Sequence, residues 1–306
     1  VSAGDWLDSV PGVLRDEPLT RHSQFGVGGP ARWFIPTRDV AVLADLLRRC
    51  HDSGVPVTML GAGSNTLISD DGIDGLVIRH NDRRLRVVDA ETIEVGAGAM
   101  MPRVALDCAT RGLAGIEFGI GVPGTLGASV YGNAGAFGTD MSDVLIDCTS
   151  LDQSGSATTL PAEACDFRYR SSRFKNELHG YVIVSARLRV HADDPAAVRE
   201  RTDAIQAERK ASQPYGIRSL GSVFKNPPDD KAGRLIEAAG LKGRRSGGAQ
   251  ISPKHANFIV NVDHARASDV LSLVCVAHDA VLQQFGVDLE REIIVLGERA
   301  AGEHRG

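Results

Sequence analysis

Apolar residues recur at helical spacing in residues 38–53, "RDVAVLADLLRRCHDS": Val40, Leu43, Leu47 and Cys50 share one face, and Gly54 supplies a stop. The apolar run "VPVTML" predicts a short buried strand and "GLVIR" a second one. Between them the periodic pattern gives way to small and polar residues. Alternation in "RLRVVD" and "TIEVGAG" predicts a hairpin, and Pro102 opens a helix through "PRVALDCATRG". Residues 144–190 are strand-rich again ("VLIDCTSLD", "YVIVSARLRV"), and then the composition shifts at "HADDPAAVRERTDAIQAERKAS". That charged helix, entered after Asp193, Asp194 and Pro195, is the expected joint between domains. Beyond it the pattern predicts a helix at "AGRLIEAAG", a strand at "ANFIVN" and a long helix "SDVLSLVCVAHDAVLQQFG" with Ser268 as N-cap. "REIIVLG" then forms a last strand.

A chain of 306 residues has material for one large domain or two to three small ones. The formal charge is -5, from 34 basic and 39 acidic residues, and the two signs are interleaved, so there is no basic face for nucleic acid or an anionic membrane. No stretch approaches the roughly 20 apolar residues of a membrane span, and the N-terminus has no basic start followed by an apolar run. A soluble intracellular protein is the expectation. The five cysteines are odd in number and scattered without a CxxC pair, which fits reduced thiols in small core positions. No HExxH and no clustered Cys/His ligands occur, so no metal is expected.

Two glycine-rich stretches interrupt the pattern. "GAGSNT", residues 61–66, lacks the lysine of a P-loop, and it runs into "LIS" and an acidic turn instead of the helix a dinucleotide fingerprint requires. A literal GxGxxG at Gly119, Gly121 and Gly124 contains Pro123 and follows no strong apolar strand, so it reads as a decoy. It lies in a longer segment, "GIGVPGTLGASVYGNAGAFG", residues 119–138, too glycine-rich for a strand and too long for one turn. Glycines alone mark turns. The sharper alternative is two walls of one slot, in which backbone amides and the short side chains of Ser64, Asn65, Thr66, Ser129 and Asn133 hold the diphosphate of an extended nucleotide cofactor.

Other polar groups could carry chemistry. "CDFRYRSSRFK" concentrates Arg168, Tyr169, Arg170, Arg173 and Lys175, either as a solvated basic rim or as a clamp for a carboxylate or phosphate. "GSVFKNP" offers Ser222, Lys225 and Asn226 in an extended segment; with no base beside it in sequence and no GxSxG, Ser222 is better placed to donate a proton than to attack carbon. Gln250, Lys254, His255 and Asn257 precede an apolar strand, where a single histidine is more often a structural hydrogen-bonder than a base. Glu290, Glu292 and Glu298 have surface charge as the default, although a strand would put Glu290 and Glu292 on one face.

Taken in order, "LTRHSQFGVGGPA", "GAGSNTLISDDGIDGLVI", "GVPGTLGASVYGNAGAFG", "FRYRSSRFK", "GSVFKNP", "AGRLIEAAGLKGRRSGGAQISPKHANFIVN" and "LEREIIVLGE" resemble the UDP-N-acetylenolpyruvoylglucosamine reductase family across nearly the whole chain. The resemblance implies an α+β fold: a two-subdomain FAD-binding unit of the vanillyl-alcohol oxidase (PCMH) type and a C-terminal α+β substrate-binding domain. The FAD-binding domain would span 1–192, with subdomains at about 20–80 and 81–192. The substrate domain would span 193–306, its last strand returning Glu292 to the active site. It further implies non-covalent FAD, NADPH as co-substrate, the enolpyruvyl ether of UDP-N-acetylglucosamine as substrate, and a cytoplasmic monomer.

The same resemblance places FAD against Gly61, Ala62, Gly63, Ser64, Asn65 and Thr66, and against Gly119, Val122, Pro123, Gly124, Thr125, Gly127, Ala128, Ser129, Asn133, Gly135 and Ala136. Arg170 and Glu292 would stabilise an enolate-like intermediate and Ser222 would protonate it; Glu292 must then be protonated, which burial would favour. Tyr169, Lys225, Asn226, Gln250, His255 and Asn257 would touch substrate. Two departures stand out. The chain is of the shorter type that lacks a tyrosine-bearing insertion, leaving Arg209, Gln213, Tyr215 and Arg218 as candidates to cover the substrate diphosphate, and Ala128 and Ser129 replace a usual double glycine. A flavin oxidase and a nucleotide-sugar binding protein without chemistry are the alternatives. Against a tethered oxidase, neither glycine-rich stretch contains His or Cys.

Overall fold

Asp39 begins the first long helix. Its carboxylate accepts from the amides of Ala41 (2.7 Å) and Val42 (3.4 Å), so the helix runs Val40–Ser53 and Gly54 ends it in the left-handed region. Leu43, Leu46, Leu47 and Cys50 form its buried face and pack with Trp33, Ile35, Leu76 and Ile78. Those last four come from a four-stranded sheet ordered Leu14–Pro18, Pro30–Thr37, Ile73–His80, Val57–Met59. The strand expected to be buried at "VPVTML" is half-buried, because Val57–Met59 is the edge of this sheet and pairs, in parallel, only with Ile73–His80.

The predicted hairpin is present as Leu85–Val87 paired antiparallel with Thr92–Gly96. It extends a five-stranded sheet in the order Ala157–Pro161, Leu145–Leu151, Val182–Arg189, Thr92–Gly96, Leu85–Val87. The helix Met101–Thr110 covers it through Val104, Ala105 and Cys108, in one core with Ile93, Val95, Ala186 and Leu188.

The computed structural model describes residues 4–297, which divide into two units. The first takes the chain up to Arg15, then Trp33–Ala62 and Gly75–Glu208; the second takes Asp16–Arg32, Gly63–Asp74 and the described chain from Arg209 on. The observed division at 208/209 falls within the charged helix expected as the joint, later than the expected boundary at 192/193. The charged helix Pro195–Ser212 buries Val198 against Ala109 and Ala114, and Arg201 pairs with Glu117 at 2.9 Å, so most of it belongs to the first unit.

In the second unit Ser219–Ser222, Phe258–Asn261, Ala249–Ile251 and Arg245–Ser246 form an antiparallel sheet in that order. The helices Ala232–Ala238 and Ala267–Phe285 supply Leu235, Ile236, Val270, Leu273, Val274 and Val281 to its core. Phe25, Val27 and Leu67 lie in the same core, which explains why two early stretches of chain belong here. Thr66–Ile68 pairs in parallel with Ile294–Leu296.

Ser268 is not the N-cap expected of the long helix. The helix starts one residue earlier, and its first amides are met by a remote carboxylate: Asp70 accepts from the amides of Ala267 (2.9 Å) and Ser268 (3.2 Å) and from the Ser268 hydroxyl (3.1 Å). Desolvation pushes the Asp70 carboxyl up, but the bonds from Ala267 and Ser268 and nearby Arg266 outweigh it and hold the group below the usual carboxylate range. A folded-state pKa below the unfolded one gives stability that is complete above the unfolded value and is lost as pH falls through the folded one. Asp70→Ala should therefore cost about 1 kcal/mol at neutral pH. In urea melts across pH, the gap from the parent should close below roughly pH 4; a gap that stays constant into acid would refute the capping role.

Candidate active site

Among the described residues, the amides of Gly61, Ala62, Gly63, Ser64 and Asn65 donate to no backbone carbonyl. Gly63 has φ +62°, and a Cβ there would lie 2.6 Å from the His22 carbonyl oxygen; a Cβ on Gly61 would lie 2.9 Å from Thr125 Oγ1. The loop is thus drawn tightly against its neighbours while its N–H groups remain available, and a run of such groups fits a diphosphate without a metal or lysine. Asn65 has a second task. Its Nδ2 donates to the Glu292 carbonyl (2.9 Å), and its own carbonyl accepts from the Ile294 amide (3.0 Å) as Thr66 enters the strand Thr66–Ile68.

In the first unit the long glycine segment is more ordered than its composition predicts. A 3-10 turn, Glu117–Gly121, precedes Pro123, so the literal GxGxxG follows no strand. A short helix, Leu126–Gly132, comes next, and the amides of Leu126 and Gly127 are taken by the carbonyls of Ala99 (2.8 Å) and Ala97 (2.9 Å). Ala128 is exposed; Pro123, Gly127, Gly135 and Ala136 are half-buried; and Gly119, Val122, Gly124 and Thr125 are buried.

Two side chains expected on the cofactor are engaged inside the protein. Ser129 donates to the Thr125 carbonyl (2.9 Å), and Asn133 joins the Arg168 carbonyl (3.1 Å), Asp140 (3.2 Å) and the Ser142 amide (3.1 Å). Each is 2% exposed, so both shape the segment instead of presenting a polar group outward.

Within the basic cluster, Arg168 pairs with Asp166 (3.0 Å) and Arg173 with Glu177 (2.8 Å), as solvated rim groups do. Arg170 is different. Its Nη2 donates to the Gly135 carbonyl (3.0 Å) and its Nη1 to that of Asn133 (3.5 Å), while its own backbone sits at φ +55°. The guanidinium carbon lies 5.2 Å from the centre of the Tyr169 ring, which is 53% exposed. Ser172, fully buried, donates to the Tyr131 carbonyl (2.6 Å) and fixes the turn that carries both.

In the second unit Ser222 ends the strand Ser219–Ser222 and Glu292 runs beside the next residues: the Glu292 amide donates to the Val223 carbonyl (2.8 Å) and the Lys225 amide to that of Glu290 (2.9 Å). Glu290 and Glu292 precede the strand, which begins at Ile294. Glu292 is half-buried, whereas Glu290 is exposed and binds the Lys225 ammonium at 2.5 Å. Glu298 lies outside the described residues.

Asn257 is 3% exposed, and its amide group bridges both polar groups of the Phe224 backbone, accepting from the N–H (2.9 Å) and donating to the C=O (2.8 Å). Asn257 thus positions the segment that follows Ser222. Asn226 is exposed, with its Oδ1 on the Ala232 amide (3.1 Å). Gln250 donates to the Gly243 carbonyl (2.9 Å). His255 stacks edge-on against Phe258 at 4.8 Å, accepts from the Asn257 amide (3.3 Å), and has a pKa lowered by burial, which favours the neutral ring. Sequence reasoning missed the carbonyls of Ala97, Ala99 and Gly135 as anchors, since a backbone oxygen leaves no mark in residue type.

Residues 31–160 match the family described as FAD binding domain, and residues 213–296 match the family described as UDP-N-acetylenolpyruvoylglucosamine reductase, C-terminal domain. The chain is 42% identical over 286 residues to UDP-N-acetylenolpyruvoylglucosamine reductase 2 of Symbiobacterium thermophilum, covering 93% of this chain and 92% of that protein. It is 43% identical over 284 residues to the reductase of Synechococcus sp., covering 92% and 90%. The chain belongs to the UDP-N-acetylenolpyruvoylglucosamine reductase family. A solved UDP-N-acetylenolpyruvylglucosamine reductase from Thermus caldophilus aligns with TM-score 0.79 and 33% identity over 93% of this chain and 98% of its own. The α+β architecture is thus that of the reductase family, with an FAD-binding domain and the family's C-terminal domain. Among the described residues no helix is long and apolar enough to cross a membrane.

Proposed function

We propose that this chain uses NADPH and FAD to reduce the enolpyruvyl ether of UDP-N-acetylglucosamine to UDP-N-acetylmuramate, a step in bacterial peptidoglycan precursor synthesis. It is an FAD-dependent oxidoreductase. The observation that carries the assignment of roles is the backbone ladder that sets Glu292 against Val223, directly after Ser222. FAD, when bound, would supply the hydride chemistry that links NADPH to the terminal alkene carbon of the substrate.

Hydride addition there leaves negative charge on the adjacent carbon and its carboxylate. Arg170 stabilises that charge through its guanidinium, and the Glu292 carboxyl, protonated, donates a hydrogen bond to it. Ser222 gives its hydroxyl proton to the adjacent carbon. A hydroxyl is a weak acid, so this step depends on contact with a strongly basic enolate, and geometry matters more than acidity. Among the described residues the Ser222 hydroxyl makes no hydrogen bond, which supports its availability as a donor. Tyr169, Asn226 and Lys225 bind substrate, and the amides from Gly61 to Asn65 hold the FAD diphosphate. The enzyme works as a cytoplasmic monomer, in line with its interleaved charge and reduced cysteines.

The purified protein should be yellow, release its flavin on acid precipitation, bleach when NADPH is added without oxygen, and recover its colour on addition of the enolpyruvyl nucleotide. Recovery with oxygen but not with that nucleotide would replace this assignment by an oxidase.

A further inference from the structure

In a regular strand alternate residues share a face, so Leu220 and Ser222 would point the same way. Leu220 is fully buried in the core of the second unit, and on that spacing the Ser222 hydroxyl would enter the core beside it. The core instead takes Leu220 and Val223. An odd step between two inward residues requires an extra residue in the strand, and the pairing with Phe258–Asn261 shows where it lies. Ser219 is opposite Val260 and Ser222 opposite Phe258, so the step from Ser219 to Ser222 on one strand faces the shorter step from Phe258 to Val260 on the other.

The extra residue is accommodated at Gly221, whose φ of +74° is left-handed. A glycine in that conformation marks a β-bulge, which bends the strand and re-aims the side chain that follows. The neighbouring strand fixes the direction. Ile259 lies in the same core as Leu220 and Val223, so Phe258 and Val260 point to the opposite face, and the serines paired with them point there too. His255, stacked edge-on against Phe258 at 4.8 Å, is on that face. Space does not explain the glycine: among the described residues a Cβ at position 221 would have one neighbour, the Ser64 carbonyl oxygen at 3.8 Å, which is an ordinary contact. Conformation does, because the left-handed region is unfavourable for residues with a side chain, least so for asparagine and most so for a β-branched residue.

We propose that Gly221 is a positioning residue for the protonation step: its left-handed bulge turns the Ser222 hydroxyl out of the hydrophobic core and onto the face from which it donates its proton. The proposal rests on the role given to Ser222 above.

Stopped-flow half-reactions of Gly221→Val and Gly221→Asn test it, since the two side chains are similar in size and opposite in their tolerance of the left-handed region. Gly221→Val should bleach with NADPH at close to the parent rate, whereas its limiting rate of recovery with the enolpyruvyl nucleotide should fall roughly 10²-fold, as expected of a reacting group displaced by about 1 Å. Gly221→Asn should recover within about threefold of the parent, because asparagine adopts the required φ. Equal slowing of recovery in both variants would make bulk the cause and overturn the proposal. So would a Gly221→Val enzyme that recovers like the parent, or one that slows in both half-reactions alike. If Gly221→Val does not fold, Gly221→Ala, smaller but still disfavoured at this φ, is judged by the same criteria. Ser222→Ala in the same assay separates the two readings. Normal recovery in Ser222→Ala would remove the protonation role and the proposal with it, whereas slow recovery there beside normal recovery in Gly221→Val would remove the bulge's role alone.

Discussion

Ser222→Ala should leave flavin bleaching by NADPH close to the parent rate and slow recovery by the enolpyruvyl nucleotide by roughly 10²- to 10⁴-fold, the range expected when a positioned proton donor is removed. The separation follows from chemistry. Hydride transfer from NADPH generates no carbanion on carbon, so it needs no proton from this hydroxyl; reduction of the alkene does. The serine lies at the end of the strand Ser219–Ser222 and the following residues are held by Asn257 and by the Glu292 segment, so the loss of one oxygen should not disturb the fold. Single-turnover traces for the two halves decide the matter, and equal slowing of both would remove Ser222 from the protonation step.

Asn257→Ala should lower stability by roughly 3 kcal/mol, because two backbone groups of Phe224 lose their partners in a place where Phe224 is 2% exposed and water cannot replace them. Its effect should also reach the chemistry. The residue after Phe224, Lys225, is bonded to Glu290, and the residue before it, Val223, to Glu292, so slack at Phe224 loosens the ladder that pairs Glu292 with Val223. Thermal melts should show a drop of roughly 5 °C for a chain of this size, and recovery of flavin colour should slow more than bleaching. A variant within about 1 kcal/mol of the parent would show that the amide clamp is not what holds this segment.

Features set by near neighbours were legible in the sequence. The helix Val40–Ser53 carries its apolar face, its Asp39 cap and its Gly54 stop within one short stretch, and the hairpin at Leu85–Gly96 shows plain alternation. Features set by distant partners were not. The cap of the helix Ala267–Phe285 comes from Asp70, 197 residues away, where local preference pointed to Ser268. The helix Leu126–Gly132 forms in a glycine-rich stretch because carbonyls of Ala97 and Ala99 hold its first amides. At the site, the same division holds. Arg170, Ser222 and Glu292 stand out through an ordered set of motifs, while the internal engagement of Ser129, Asn133 and Asn257 depends on which backbone groups lie beside them after folding.

The pairing of Thr66–Ile68 with Ile294–Leu296 has a bearing on modularity. The stretch matched by the family's C-terminal domain, 213–296, contains one strand of that pair and neither Asp70 nor Phe25. A gene fragment cut at that boundary would encode a sheet partner without its mate, a helix without its cap and a core missing part of its filling. A chimera between relatives that exchanges this unit would have to carry the early segments 16–32 and 63–74 along with it.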